Sequence, residues 1–406
     1  MSPNPGFLKL DLAIRGARLD PELRDNPELF RVPSVRDYVT RSLEVILPED
    51  ISVSLPLNER FTETSPYYLG LDESGFCISN EGERRDVRIV PQPRYYARNT
   101  SSGLPMWRVG TAYGGYIAIN PASGCGFTKL GVPCRFCDVP TRATERDAPL
   151  SVSDVVETVG AAFAEGAVEF VYLHVGYLEG EDSGISFLEP YINAIKKHFD
   201  TLVAVQIQPP RTNRWIDNTY AMGVDALSYS IEIHDPEILR QHCAGRAEHV
   251  GRERYYDALA YAATIFPSGT VWSDLIVGLE PVESTMQGID MLVGMNVLPV
   301  LSLFHPLDDT SLRDHPLPIA TDVAPVFAHL FHTVRNARIN MNWVRDLSFA
   351  VTPLEARFFA DDADRTAPPR PFYRSRFGNL AVRNLSRMRR RLRVRKVSDS
   401  FDSSNL

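Results

Sequence analysis

In the run Ala226-Leu227-Ser228-Tyr229-Ser230-Ile231-Glu232-Ile233-His234, apolar and polar residues alternate from Leu227 to the end. Side chains on a strand point to opposite faces in turn, so Leu227, Tyr229, Ile231 and Ile233 share one face and Ser228, Ser230, Glu232 and His234 the other. Around this run the chain alternates β-rich and helical stretches from about Gly115 onward. The expected strands are 116–120, 169–176, 202–208, 226–234, 271–278 and 298–304. Helical patterns follow them: one opened by Ser151-Val-Ser153-Asp154 with a capping-box-like spacing, then 187–199, 214–222, 253–265, 285–294 and 322–338. Consecutive βα units imply a parallel sheet with right-handed crossovers, either a barrel or an open doubly wound sheet.

The alternation favours the barrel. If the apolar face meets the helices, the polar face lines a lumen. The same reasoning turns Tyr172, His174, Gly176, Ala204, Gln206, Gln208, Trp272 and Asp274 inward. A closed eight-stranded barrel fills its centre mainly with branched aliphatic residues. Glu232, Asp274, Gln206, Gln208 and His174 facing one another would be costly to bury without partners. The expected fold is therefore α/β, a partial (β/α)6 barrel of TIM type around a polar ligand, spanning residues 107–340. It is preceded by a small β-containing extension (1–106) and followed by a C-terminal extension (341–406).

Three of the five cysteines, Cys125, Cys134 and Cys137, fall in one loop just after the first strand. The chain starts without a basic segment followed by an apolar one, and no run of about 18 apolar residues occurs. The expected location is the cytoplasm, where an odd cluster of thiols in a Gly- and Pro-containing loop suits a metal or an iron–sulfur cluster better than disulfides. Cys77 and Cys243 read as small core residues. Net charge is −8, but ten Arg and Lys against Asp399 and Asp402 place +8 on residues 371–406 and leave −16 on the remainder. An acidic body with a basic tail is not the footprint of a specific nucleic-acid binder. As a helix, residues 379–396 would be basic and amphipathic. They suit packing on the acidic body first, and an acidic partner or an anionic membrane surface second.

A cysteine loop after the first strand of a six-unit partial barrel, ending in Cys134-Arg135-Phe136-Cys137, resembles the radical S-adenosylmethionine (SAM) superfamily. Also similar are His174-Val-Gly176-Tyr177-Leu-Glu179, Ser228-Tyr-Ser230-Ile-Glu232 and Asp274-Leu-Ile-Val-Gly278-Leu-Glu280. The family spaces its first two cysteines three residues apart. Here eight residues separate Cys125 from Cys134, and no subfamily is identified. The resemblance implies an enzyme with Cys125, Cys134 and Cys137 on a [4Fe–4S] cluster, Phe136 shielding it, and one iron left open for SAM. It implies reductive cleavage of SAM to a 5′-deoxyadenosyl radical, hydrogen abstraction from a small-molecule or carrier-bound substrate in biosynthesis, and an external electron donor of flavodoxin or ferredoxin type.

Gly176, Tyr177, Ser230, Glu232 and Gly278 are then expected around SAM. Arg252 is expected to pair with its carboxylate, Arg246 being the rival. His234, Asp274, His305 and Gln208 sit at or near strand ends, where barrels build substrate sites. Two other classes compete. A metal-dependent barrel hydrolase or lyase would use the strand-end His, Glu and Asp as ligands but leaves the cysteine loop unexplained. A non-enzymatic iron–sulfur or zinc protein explains the cysteines but needs a fourth ligand and no polar lumen.

Overall fold

The computed structural model describes residues 4–30 except 25 and 28, 42–138, 148–341, 351–360 and Met388. The basic tail lies outside these residues apart from Met388. Six parallel strands form the body of a curled sheet: β1 (Tyr116–Ile119), β2 (Phe170–His174), β3 (Val203–Gln206), β4 (Ala226–Ser228), β5 (Val271–Val277) and β6 (Leu298–Leu303). They pair in chain order, and a short antiparallel strand, Thr111–Tyr113, extends the β1 edge. Each parallel strand is followed by a helix: α1 (Val152–Ala164), α2 (Ile185–His198), α3 (Arg214–Met222), α4 (Arg252–Ile265), α5 (Val282–Gly294) and α6 (Ala320–Asn336). The fold is the expected partial (β/α)6 barrel. Ser151 caps α1, its hydroxyl accepting the Asp154 N–H at 3.0 Å.

The register layers the lumen. His174, Gln206, Ser228 and Trp272 lie side by side across β2, β3, β4 and β5. Tyr172, Ala204 and Ala226 form the layer below. Tyr172 meets both Tyr116 (centroids 5.4 Å) and Trp272 (6.1 Å), so aromatic rings fill the N-terminal end of the barrel and leave the C-terminal end to polar groups. The apolar faces meet the helices: Leu227, Tyr229, Ile231 and Ile233 are fully buried.

One strand departs from expectation. The ladder of β4 stops at Ser228, and only an isolated bridge between Glu232 and Leu275 continues it. Glu232 has φ 71°, a left-handed conformation rare in non-glycine residues, which breaks the alternation after it. Two short helices, Pro236–His242 and Ala244–His249, then precede α4.

The N-terminal residues form a helix (Pro5–Arg15) and two small sheets. One pairs 42–47, 51–56 and 88–89 antiparallel; the other joins 18–19, 68–72, 75–80 and 83–86. The helix packs against 51–56, against α6 and against residues 355–359, where Lys9 pairs with Glu355 at 2.7 Å.

Candidate functional site

A cavity of about 790 Å³, counting its open mouth, lies at the C-terminal end of the strands. Cys125, Cys134 and Cys137 all line it. The cysteine loop is held there by the turn after β2. Gly126 donates its N–H to the Tyr177 carbonyl at 2.6 Å, the Phe127 ring stacks on the Tyr177 ring (4.4 Å, 3°), and the Tyr177 N–H points at the Cys125 sulfur at 3.3 Å. Gly176 makes this approach possible: a Cβ there would stand 2.7 Å from the Cys125 sulfur. At the loop's far end, Arg135 donates its N–H to the His242 carbonyl at 2.9 Å.

The other wall is polar. Arg246 donates to Glu232 at 3.0 Å, to the Ser230 carbonyl, and to the Gln208 amide oxygen at 3.4 Å. Burial pushes the Glu232 carboxyl up to about 8 against the pull of Arg246. Asp274 accepts from Ser230 and from Gln206 (2.9 Å), and burial raises its carboxyl to about 6 in spite of those bonds and of Arg246. Gln208 also receives the Tyr255 hydroxyl, and Gln206 receives that of Tyr172 at 2.8 Å. Arg246 is 9% exposed and its Nε has no partner among the described residues, which leaves a buried donor suited to an anionic ligand group.

A family model, the radical SAM superfamily, matches residues 119–288, from the end of β1 into α5. This chain carries a radical SAM domain. Among curated proteins it is similar to the bacteriochlorophyllide c C-7(1)-hydroxylase of Chlorobaculum limnaeum, 21% identical over 119 residues. The matched stretch is 29% of this chain and 30% of that relative, so the similarity spans under a third of the relative's length. Among solved structures, the FeFe-hydrogenase maturase HydG from Carboxydothermus hydrogenoformans is 17% identical, with a TM-score of 0.43, over 55% of this chain and 51% of that one. A radical SAM methyltransferase from Sphaerobacter thermophilus is 13% identical, with a TM-score of 0.40, over 70% of this chain and 76% of that one.

Residues 119–288 match the superfamily whose members are enzymes that use a [4Fe–4S] cluster and SAM. The chain's residues fit those groups on three counts. Three sulfur donors face one cavity, and the glycine turn lets Cys125 approach without a clash. The Cys243 thiol beside Cys134, with the Arg246 guanidinium, outweighs burial and lowers the Cys134 thiol to about 6, toward the thiolate a metal needs. Among the described residues no three His, Cys, Asp or Glu converge as ligands of one ion. In a four-iron cluster each thiolate takes a different iron, so its sulfurs stand apart.

The radical SAM domain gathers some expected residues and disperses others. Gly176, Gln208, Ser230 and Glu232 line the cavity with the three cysteines, and Asp274 lies directly behind Ser230 and Gln206. Tyr177 is packed beneath the cysteine loop rather than on the cavity wall. His234 does not line the cavity. Past the left-handed Glu232 it turns toward α4 and α5, where its Nδ1 pairs with the Tyr256 hydroxyl at 2.8 Å and its Cβ abuts Gly288. Arg252 follows it outward, donating to the His234 carbonyl at 2.9 Å, whereas Arg246, its rival, lines the cavity. His305 contacts the Ala13 carbonyl at 2.8 Å and stacks on Phe61 (5.0 Å, 6°), tying the barrel to the N-terminal unit. Gly278 meets Pro318 and serves a turn at φ 106°. Glu280 caps the turn after β4, accepting the N–H groups of His234 and Asp235. Asn120 lines the cavity too, unforeseen because a strand-end amide carries no motif.

Proposed function

We propose that this radical SAM domain cleaves SAM reductively at a [4Fe–4S] cluster held by Cys125, Cys134 and Cys137 and abstracts a hydrogen atom from a small-molecule or carrier-bound substrate. The observation that carries this reading is that all three cysteines line one cavity together with Gly176, Glu232 and Arg246. When bound, the cluster supplies the electron that breaks the sulfonium bond and yields a 5′-deoxyadenosyl radical.

The residues supply the rest. Arg246, fixed by Glu232 and the Ser230 carbonyl, presents its free Nε–H to the SAM carboxylate. The carbonyls around Gly176 receive the amine. Glu232, raised toward neutrality at physiological pH, accepts from the amine or donates to a ribose hydroxyl. Asp274, Gln208 and His174 face or back the remaining space and orient the substrate, while the aromatic floor of Tyr172 and Trp272 keeps water from below. A cavity of this size and mixed polarity suits a medium-sized polar or amphipathic molecule. The hydroxylase similarity supports C–H functionalisation as the reaction class. The electron comes from an external flavodoxin- or ferredoxin-type donor.

Anaerobic reconstitution followed by EPR after reduction should give a [4Fe–4S] signal that changes on adding SAM, and chromatography should detect 5′-deoxyadenosine. Cys134→Ala should abolish that product. A missing signal, or one indifferent to SAM, would sink the reading.

A further inference from the structure

The eight residues between Cys125 and Cys134 exceed the three usual in the superfamily, and the mechanism above gives the surplus no task. They form a built surface. Gly126–Lys129 is a single helical turn, with the Leu130 N–H on the Gly126 carbonyl at 2.9 Å and the Gly131 N–H on the Thr128 carbonyl at 3.1 Å. The Val132 N–H then returns to the Phe127 carbonyl at 2.9 Å, a reversal that Gly131 permits at φ 76°. Phe127 is buried against the Tyr177 and His249 rings, whereas Thr128, Lys129, Leu130, Gly131, Pro133 and Arg135 are exposed. Leu130 shows 44% of its surface, so a large apolar side chain is displayed on an anchored loop. Thr128 and Pro133 also line the cavity, which puts this patch at its edge.

Two cations accompany the leucine. Exposed arginines elsewhere hold carboxylates: Arg60 holds Asp314, Arg88 holds Asp50 and Arg240 holds Glu237. Among the described residues neither Lys129 nor Arg135 holds one. The Lys129 amine bonds nothing there, and Arg135 gives only its Nε–H to the Ser311 hydroxyl at 3.2 Å. Residues outside 371–406 carry −16, so a negatively charged partner is repelled by the body as a whole and meets unneutralised cations here. Both cations are tied to the cysteines: the Lys129 N–H bonds the Cys125 carbonyl at 3.4 Å, and Arg135 follows Cys134 directly.

We infer that residues 128–135 are the landing surface of the external electron donor, and that this donor is a small protein with an acidic face around its redox group. The inference rests on the loop carrying the cluster. Electron-transfer encounters are small and brief, so one displayed apolar side chain and two free cations are on their scale. Charge steers and orients the approach, and Leu130 seats it. One electron then leaves the donor's reduced centre and enters the cluster, with no bond made or broken.

The test compares wild type, Lys129→Glu, Lys129→Glu with Arg135→Glu, Leu130→Ser and Lys197→Glu, each reconstituted anaerobically. Lys197 is an exposed lysine of α2 at the opposite end of the barrel, where its neighbour Lys196 bonds the Thr201 carbonyl ahead of β3. Iron content is assayed, and bleaching of the cluster by reduced flavodoxin is followed in stopped flow at low and high salt. Photoreduced 5-deazariboflavin, a small uncharged reductant, is the comparison. All five should load the same iron and be reduced alike by the deazaflavin. With flavodoxin the double variant should be slower by roughly tenfold at low salt and Lys129→Glu by less, the gap narrowing as salt screens the charges. Leu130→Ser should raise the half-saturating flavodoxin concentration with its salt dependence unchanged, and Lys197→Glu should match the wild type. Carbodiimide coupling should join the wild-type Lys129 amine to a flavodoxin carboxylate, located by mass spectrometry. If Arg135→Glu costs iron, Lys129→Glu still decides, because its amine supports nothing in the fold. Unchanged flavodoxin rates in a loaded Lys129→Glu, or equal slowing in Lys197→Glu, would overturn the inference and leave the ligand assignment standing. Equal slowing with the deazaflavin would place the effect on the cluster itself and overturn it too. A wild type that forms no cluster would overturn the ligand assignment and this inference together.

Discussion

Arg246 and Arg252 show how far single residues were legible. Both are arginines past β4 with a carboxylate nearby, and Arg252 opens α4, a natural place to greet an anion. Two short helices that the strand-and-helix alternation hides carry Arg246 back beneath β4 and leave Arg252 on the far side of His234. A signal for the first helix was present: Asp235 caps it by accepting from Glu237 and Ile238, with Pro236 at its first position. Arg246→Lys keeps the charge but loses the planar fork. Losing a charge-assisted bond of about 1.5–3 kcal/mol should raise the SAM dissociation constant roughly ten- to a hundredfold. Arg252→Lys should leave it unchanged. Anaerobic equilibrium binding to the reconstituted protein measures both. His234 and His305 lie off the cavity for a related reason. Sequence position places them near strand ends, but whether a side chain enters the lumen depends on the local φ and on which unit packs outside.

At the scale of elements the sequence was most informative, because period-2 and period-3.6 patterns are direct consequences of burying one face. All six parallel strands and their helices appear where alternation puts them, with differences at the ends. The exception, β4, stops early because Glu232 adopts a conformation that no pattern of residue types announces. The contact between the β2 turn and the cysteine loop is similarly tertiary, though the glycine that permits it was visible. Gly176→Ala would force a Cβ against the Cys125 sulfur and backbone-anchored loop. It should fold yet load markedly less iron on reconstitution, as measured by iron and sulfide content. Gly294→Ala, with nothing within 4 Å of the added Cβ, should load iron normally. It should also gain up to about 1 kcal/mol in helix stability.

For the whole molecule, the N-terminal unit and the barrel meet at His305. Its Nε2–H donates to the Ala13 carbonyl, and burial lowers its proton affinity below the ordinary 6.5. The folded state therefore holds this histidine neutral while the unfolded chain protonates near 6.5. Its contribution to stability is complete above that value and is lost as the pH falls below it. The melting temperature should drop between pH 7 and 5, and His305→Gln, which keeps an N–H donor but cannot titrate, should flatten part of that drop. No helix among the described residues is long and apolar enough to cross a membrane. The arrangement of the units around the barrel was not legible, since sequence alternation says nothing about which surfaces of two separate sheets meet. The sheet itself has a last consequence. Its seven strands run from Leu298–Leu303 to Thr111–Tyr113, and among the described residues no ladder joins those two edges. In a closed barrel, strand number and stagger fix the bore. In this horseshoe the gap can be widened or narrowed by changing what plugs it, with every inter-strand bond intact, so the aperture is the natural place to re-engineer substrate size while leaving the cofactor wall alone.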